Sequence, residues 1–200
     1  MNIMNIIISK YKEDVSWTSR FKKSSIIIYD KSGEKSPYIS LPNIGRESHT
    51  YLTYIIDNYD NLSEYTCFLQ GNPFDHLVYT IEHIDDMNLD NIDFFSLCKE
   101  FSCNLNGAPD HPTNLNIKEL IFDKYFIINI DTIKFAVGAQ FIVSRKAILN
   151  RSKRFYELLL KEFLRTDIED LYYNDNKMPW VLERVWYYIF NTKIKSKYDV

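Results

Sequence analysis

Short, mostly apolar runs, the first two of them rich in Ile, alternate with polar segments along the first third of the chain. Three such runs are Ile3–Ser9, Ser25–Tyr29 and Tyr65–Leu69. Continuous apolar runs of this length are typical of strands buried on both faces of a parallel sheet. Between the second and third runs, Arg46–Tyr59 carries Tyr, Leu and Ile side chains at helical spacing. The pattern therefore predicts that the chain begins as a βαβ-type unit.

The later part of the chain continues the alternation of strands and helices. The predicted helices lie near Asp90–Cys103, at Ala147–Leu164 and at Pro179–Phe190, and the predicted strands near Tyr125–Ile130 and at Ala139–Val143. Alternation of this kind predicts an α/β fold with a mostly parallel central sheet and helices on both faces. Since no repeat or Gly/Pro-rich linker interrupts the chain, residues 1–200 are predicted to form a single domain.

The net charge indicates which partners to expect, and the cysteines indicate the cellular compartment. The formal net charge is −3, and without a strongly basic field a nucleic acid is not an expected partner. The three cysteines, Cys67, Cys98 and Cys103, form no CxxC pair, which favours a reducing compartment. We therefore expect a cytoplasmic protein, in the host cytoplasm if it is viral. No apolar stretch is long enough to span a bilayer, so no integral membrane segment is predicted.

Polar residues follow each of the three early strands. Their side chains are predicted to share one edge of the sheet, because the carboxyl ends of parallel strands form the usual ligand crevice. The candidate residues at these strand ends are Ser9, Lys10, Tyr11, Glu13, Asp30, Gln70, Asn72, Asp75 and His76. A further segment, Leu41–Ser48, places Gly45 and Arg46 just ahead of a predicted helix. Backbone amides, the helix dipole and a guanidinium group favour a phosphate there.

Several ordered motifs carry a resemblance to a known family. They are Ser9–Trp17 (SKYKEDVSW), Leu41–Leu52 (LPNIGRESHTYL) and Phe68–His76 (FLQGNPFDH), with later landmarks at Phe135–Arg145 and Glu183–Trp186. Over nearly the whole chain, this set resembles a small domain family of unknown function. That family is similar to nucleotide-sugar glycosyltransferases of the GT-A type, including the N-terminal domain of a chlorella-virus capsid-glycosylation protein.

The resemblance implies a single Rossmann-type domain that transfers a sugar from a nucleoside-diphosphate sugar, such as a UDP-sugar, to a glycan or polysaccharide acceptor. It implies that Tyr11, Glu13 and Ser9 meet the base and ribose, and that Asn43, Gly45 and Arg46 grip the nucleotide or diphosphate. The full set of donor-binding residues implied is Ser9, Lys10, Tyr11, Glu13, Asp30, Asn43, Gly45, Arg46 and Gln70.

The third strand end departs from the GT-A pattern at the metal-binding motif. Where that pattern has Asp-x-Asp, this chain has Gln70 and Asn72, and neutral amides are poor replacements for carboxylates around a divalent cation. Two alternatives follow. Either Asp75, with Asn72 and His76, holds Mn²⁺ or Mg²⁺, or the cationic side chains Arg46 and Lys10 neutralise the diphosphate without a metal.

An inverting transfer requires a carboxylate that accepts the proton of the acceptor hydroxyl. The resemblance places this base at Glu183, with Asp110 as the second candidate, and the acceptor beside Val137–Arg145. Glu183 lies in a predicted helix beside Arg184, and an ordinary structural glutamate is an equally good interpretation of it.

Two other classes of function remain open. A metal-dependent hydrolase would use His76, His83, Asp110 and His111, although none of the HExxH-type spacings of zinc sites is present. A non-catalytic carbohydrate-binding or assembly module would account for an aromatic content of 16%. The excess of Asn, Ile, Lys and Tyr is also what an A/T-rich viral or bacterial genome produces.

Overall fold

The computed structural model describes residues 4–105, 107–108, 111–112, 117–164 and 178–198. The strands are β1 (Met4–Lys10), β2 (Ser25–Asp30), β3 (Ile39–Ser40), β4 (Tyr65–Gln70), β5 (Phe94–Ser96), β6 (Glu100–Asn104), β7 (Gly107–Ala108), β8 (His111–Pro112), β9 (Thr132–Ala136) and β10 (Phe141–Ser144). The helices are α1 (Arg46–Asp57), α2 (Ile81–Asp85), α3 (Asp123–Tyr125), α4 (Arg145–Leu149), α5 (Lys153–Phe163) and α6 (Met178–Phe190). A 3₁₀ turn at Ser16–Arg20 follows β1.

A six-stranded sheet in the order β3-β2-β1-β4-β10-β5 forms the centre of the molecule. Strands β3, β2, β1 and β4 are parallel to one another, whereas β10 runs antiparallel to both β4 and β5. Two smaller antiparallel pairs, β6–β9 and β7–β8, lie outside this sheet. The predicted α/β fold with a mostly parallel sheet is therefore confirmed.

The central strand β1 shows why these residues form a sheet covered on both faces. Ile6, Ile7 and Ile8 are all fully buried, and successive side chains of a strand point to opposite faces. Ile7 packs in a core cluster with residues of α1, α4, α5 and α6, whereas Ile6 and Ile8 belong to a second cluster on the other face. The Ser16–Arg20 turn and the short helix α2 cover that second face. More and longer helices therefore pack on the first face than on the second.

Two of the predicted elements have the wrong secondary structure. The segment predicted as a helix near Asp90–Cys103 contains strands β5 and β6. Phe94 packs against one core cluster and Phe95 against the other, which is the two-residue alternation of a strand. The predicted strand near Tyr125–Ile130 is also wrong, since α3 ends at Tyr125 and the following chain makes its backbone bonds to Lys195 and Ser196 near the C-terminus.

The predicted helix Ala147–Leu164 is divided into α4 and α5. Ser152 begins α5 by accepting a hydrogen bond from the Phe155 backbone N–H, the usual arrangement of a helix N-cap. The fully buried Arg151 lies at the break and donates to the backbone carbonyl oxygens of Ile189 and Ile194. Its guanidinium thereby ties the break to the end of α6. Among the described helices, none is long and apolar enough to cross a membrane.

Candidate functional site

A polar cleft of about 490 Å³ opens at the carboxyl ends of β1, β2 and β4. Its lining residues come from the three strand ends and from the beginning of α1: Ser9, Lys10, Tyr11, Glu13, Lys31, Asn43, Arg46, Glu47, Gln70, Gly71, Asn72 and Asp75. Parallel strands with a helix beginning beside their ends place ligands at this edge. The structure therefore brings together most of the residues that the sequence singled out.

The end of β1 forms one wall of the cleft. Tyr11 is exposed, and its backbone N–H donates a 2.6 Å hydrogen bond to Glu13 Oε2. Ser9 shares a 2.9 Å hydrogen bond with the Thr50 hydroxyl of α1. A Cβ on Gly71 would lie 2.7 Å from Glu13 Oε2 and 3.2 Å from the Lys10 Cα, so a larger residue there would displace the Glu13 carboxylate from its place at the end of β1.

Asp30 lies beneath the cleft rather than in its lining. It is 3% exposed, and its Oδ2 accepts a 3.3 Å bond from Lys10 Nζ. Burial alone would raise the pKa of Asp30, but hydrogen bonds from Ser32, Ser36 and Lys10 together lower it to about 2. Asp30 is therefore ionised at neutral pH and holds the Lys10 ammonium at the cleft.

The Asn43–Arg46 turn delivers Arg46 to the cleft at the start of α1. Gly45 precedes the helix with φ 63°, and Arg46 itself has φ 48°. The Arg46 guanidinium lies over the Trp180 ring of α6, 4.4 Å from its centroid. This cation–π contact orients a charged group whose side chain remains accessible to a ligand.

Lys31 is a cleft residue that the sequence analysis missed. It follows β2 and is only 3% exposed, and its Nζ donates to the backbone carbonyl oxygens of Ile44 and Arg46. Burial lowers the pKa of Lys31 to about 8, while the nearby Glu47 carboxylate acts in the opposite direction. Lys31 thus fastens the turn that carries Arg46. A lysine directly after a strand gives no signal of this role in the sequence.

Glu47 is the second cleft residue that the sequence analysis missed. It occupies the first turn of α1 and is half-buried. The pKa of Glu47 is raised to about 7, mainly by burial and additionally by the negative charge of Glu183, whereas its own backbone N–H, Arg46 and Lys31 act in the opposite direction. A carboxyl group with a pKa near neutrality can both accept and release a proton at physiological pH.

The end of β4 is fixed by a buried glutamine that directly precedes β10. Gln140 is fully buried; its Oε1 accepts from the Gln70 backbone N–H at 3.2 Å, and its Nε2 donates to the Pro73 carbonyl oxygen at 3.0 Å. Beyond this clamp, Asn72 Nδ2 donates to Asp75 Oδ2 at 3.2 Å. The cleft therefore has one carboxylate and two amides at the position of the expected metal motif.

These side chains fit a divalent cation poorly. Mn²⁺ and Mg²⁺ prefer several oxygen ligands with enough negative charge, and here Asp75 supplies one carboxylate that already accepts a bond from Asn72. His76 is absent from the cleft lining and packs against Gly138, where an added Cβ would lie 2.7 Å from the His76 Cβ. Within the described ranges, no group of three His, Cys, Asp or Glu side chains is placed to hold a metal ion.

Glu183, the first of the two predicted catalytic carboxylates, lies apart from the predicted donor-binding residues. Glu183 Oε1 accepts a 2.6 Å hydrogen bond from the Gly138 backbone N–H, and its side chain is 13% exposed. It borders a small separate cavity beside Gln140, not the cleft itself. Asp110, the second candidate base, lies outside the described residues.

The geometry also bears on the hydrolase alternative. His83 belongs to α2, which covers the second face of the sheet, and its ring stacks on Tyr79 at 5.3 Å. His76 lies instead against the turn between β9 and β10. Asp110 and the side chain of His111 are outside the described part of the structure. The described histidines therefore give no support to a shared metal centre.

Comparison with known proteins identifies one family. A family model described as "Protein of unknown function (DUF3431)" matches residues 6–198. A protein from Plasmodium falciparum (isolate 3D7), described as an uncharacterized membrane protein, is 23% identical over 154 residues. That match covers 73% of this chain but only 4% of the Plasmodium protein.

Proposed function

The chain belongs to the DUF3431 family, and from this premise we propose that its cleft binds a nucleoside-diphosphate sugar and transfers the sugar to a glycan or polysaccharide acceptor. The observation that carries the proposal is the convergence of Lys10 and Arg46 at the carboxyl edge of a parallel sheet, beside the N-terminus of α1. Two cations and a helix N-terminus favour a ligand with several negative charges.

The charges in the cleft suit a diphosphate in particular. Arg46 is oriented by Trp180, and Lys10 by Asp30, so both cations are held in place before a ligand arrives. A guanidinium group matches the oxygen pairs of a phosphate, and prior orientation of the side chain reduces the entropy lost on binding. The proposal therefore assigns the two phosphates to Arg46 and Lys10.

The remaining lining suits the nucleoside and the sugar. Tyr11 presents an exposed aromatic ring at the rim of the cleft, and an aromatic face is a favourable surface for a base. Ser9, Asn43, Gln70 and Asn72 contribute hydroxyl and amide groups, which are the groups that orient polar ligands in protein sites. Because the donor set around Asp75 fits a divalent cation poorly, no step of the proposed function requires a metal.

The proposal is tested by calorimetric titration with UDP, GDP and their sugar conjugates, in Mn²⁺ and in EDTA. The wild-type protein is expected to bind one nucleotide family under both conditions, and Arg46→Ala is expected to weaken binding about tenfold or more, since hydrogen bonds to charged groups contribute about 1.5–3 kcal/mol. Arg145→Ala is the matched control, because Arg145 is exposed and follows β10 beside the amino end of β4, whereas the cleft lies at the carboxyl end of β4.

The outcomes separate the alternatives. Binding retained in EDTA by the wild type and Arg145→Ala, but weakened in Arg46→Ala, would support the proposal. Binding lost in EDTA would support the metal alternative with Asp75. No binding of any nucleotide would refute the proposed function, and binding of oligosaccharides alone would favour the carbohydrate-binding module.

A further inference from the structure

Glu47 differs from the other acidic residues at the cleft in the groups that its carboxylate contacts. Glu47 lines the cleft from the first turn of α1, next to Arg46. Asp30 is buried in a contact with Lys10, Glu13 accepts the Tyr11 backbone N–H, and Asp75 accepts a bond from an amide. For Glu47, the hydrogen bond that favours the ionised form comes from its own backbone N–H.

The charged groups around Glu47 carry both signs and come from α6, from the end of β2 and from α1 itself. Glu183 faces it from α6, Lys31 from the end of β2, and Arg46 precedes it on α1. Tyr51 lies one turn further along α1, and the pKa of its buried phenol is raised mainly by burial and additionally by the Glu47 charge. Burial, with the contribution of Glu183, outweighs the two cations, so the carboxyl group titrates near neutral pH.

Glu183 is less suited to meet a substrate. Its Oε1 is bound to the Gly138 backbone N–H, and it borders a separate cavity rather than the cleft. One carboxylate oxygen of Glu183 is therefore already bound to a backbone donor, and the other lies 3.6 Å from the Arg184 guanidinium. Its negative charge nevertheless reaches Glu47.

We propose that Glu47 is the catalytic base of the transfer and that Glu183 is a positioning residue, which holds the Gly138 turn and places its charge near Glu47. The inference rests on the proposed function. In the step, the acceptor hydroxyl oxygen forms a bond to the anomeric carbon while its proton passes to the Glu47 carboxylate. The bond from the anomeric carbon to the diphosphate oxygen breaks, and its electron pair leaves with the diphosphate.

The proposal is tested with Glu47→Gln, Glu183→Gln and the wild type. Titration with the sugar conjugate that the wild type binds measures donor affinity, and release of nucleoside diphosphate in the presence of oligosaccharide acceptors measures turnover. Glu47→Gln is expected to bind the donor as the wild type does but to lose turnover by about 10²- to 10⁴-fold, the usual contribution of a general base. In the wild type, kcat/KM is expected to rise with pH and to level off above about pH 7.

The Glu183→Gln variant tests the positioning role of Glu183 through the pH profile, which a purely structural role would not change. Removal of its negative charge lowers the pKa of Glu47, so the pH profile of this variant is expected to shift toward lower pH, with a smaller loss of turnover than in Glu47→Gln. An independent measurement follows the Glu47 carboxyl carbon by NMR in ¹³C-glutamate-labelled protein. The resonance missing from Glu47→Gln identifies it, and its midpoint is expected near pH 7.

The possible results distinguish failure of this inference from failure of the proposed function. If the wild type binds no nucleotide, the proposed function fails and the inference fails with it. If the wild type binds and turns over the donor while Glu47→Gln keeps the full rate, the inference alone is overturned. A Glu47 midpoint near the ordinary glutamate value of 4.5, or a protein that binds the conjugate without ever releasing diphosphate, would also overturn it.

Discussion

Gly45 lies in the turn that carries Arg46 to the cleft, and its substitution is expected to lower the stability of the protein measurably. It has φ 63°, in the left-handed region, and a Cβ at this position would lie 2.1 Å from Phe163 Cε1. Phe163 is 3% exposed at the end of α5, so its ring has little room to move away. Gly45→Ala therefore introduces both backbone strain and a steric conflict at the beginning of α1.

The two contributions can be separated with a matched control. Gly33 also has a positive φ, 75°, but a Cβ added there would have no atom within 4 Å. Gly33→Ala is therefore expected to cost only the left-handed strain, about 1–2 kcal/mol. Gly45→Ala adds the cost of overpacking, about 1–3 kcal/mol, so its total loss in the free energy of unfolding is expected to be about 2–5 kcal/mol.

Urea denaturation followed by circular dichroism measures both variants. The steric part is checked by adding Phe163→Leu: if the conflict is real, the double variant Gly45→Ala/Phe163→Leu loses less stability than the two single variants summed. Equal losses for Gly45→Ala and Gly33→Ala, or strict additivity with Phe163→Leu, would refute the reasoning. In the folded fraction of Gly45→Ala, nucleotide binding is expected to weaken as well, since the turn delivers Arg46.

Further predictions concern two buried charged residues at the cleft, Asp30 beneath it and Lys31 in its lining. Asp30→Asn is expected to lower the free energy of unfolding at pH 7 by about 2 kcal/mol, because the pKa of Asp30 is lowered from 3.8 to about 2 and one pKa unit corresponds to about 1.4 kcal/mol. That contribution is fully present above about pH 4 and lost as the pH falls toward 2, so urea denaturation across this range should show a smaller difference between variant and wild type at low pH. Lys31→Met is expected to weaken nucleotide binding by releasing the turn before α1, whereas Lys22→Met, which removes only an exposed lysine, should bind normally in the same calorimetric assay.

The parallel half of the sheet and its cleft could be predicted from the sequence because few physical factors decide them. Ile6, Ile7 and Ile8 form a continuous β-branched run, which is typical of a strand covered on both faces. Once β1, β2 and β4 are parallel, their carboxyl ends must share an edge. The residues after them then lie together whatever the details of packing, which is why sequence position alone is enough to place Lys10 and Gln70 at the cleft.

The elements after β4 depend on contacts that a local pattern does not contain. Phe94 and Phe95 fit either a helix or a strand over so short a stretch, and pairing with the antiparallel strand β10 decides between them. The division of the long predicted helix depends on the burial of Arg151 against carbonyl groups almost forty residues away. The cleft position of Glu47 likewise depends on how α1 packs against β1 and β4, which spacing along the chain does not reveal.

Helix α6 interacts with both Arg46, the proposed ligand of the diphosphate, and Glu47, the proposed base. Arg46 contacts α6 through the Trp180 ring, and the adjacent Glu47 interacts with Glu183, less than one helical turn further along α6. The same helix therefore affects both the direction of the cation that we propose to bind the diphosphate and the pKa of the carboxyl group that we propose as the base. Since Glu183 also binds the Gly138 N–H, a shift of α6 would affect Arg46, Glu47 and the Gly138 turn together. Residues far apart in the sequence, at 45–47, 138 and 180–183, are thus linked through this one helix.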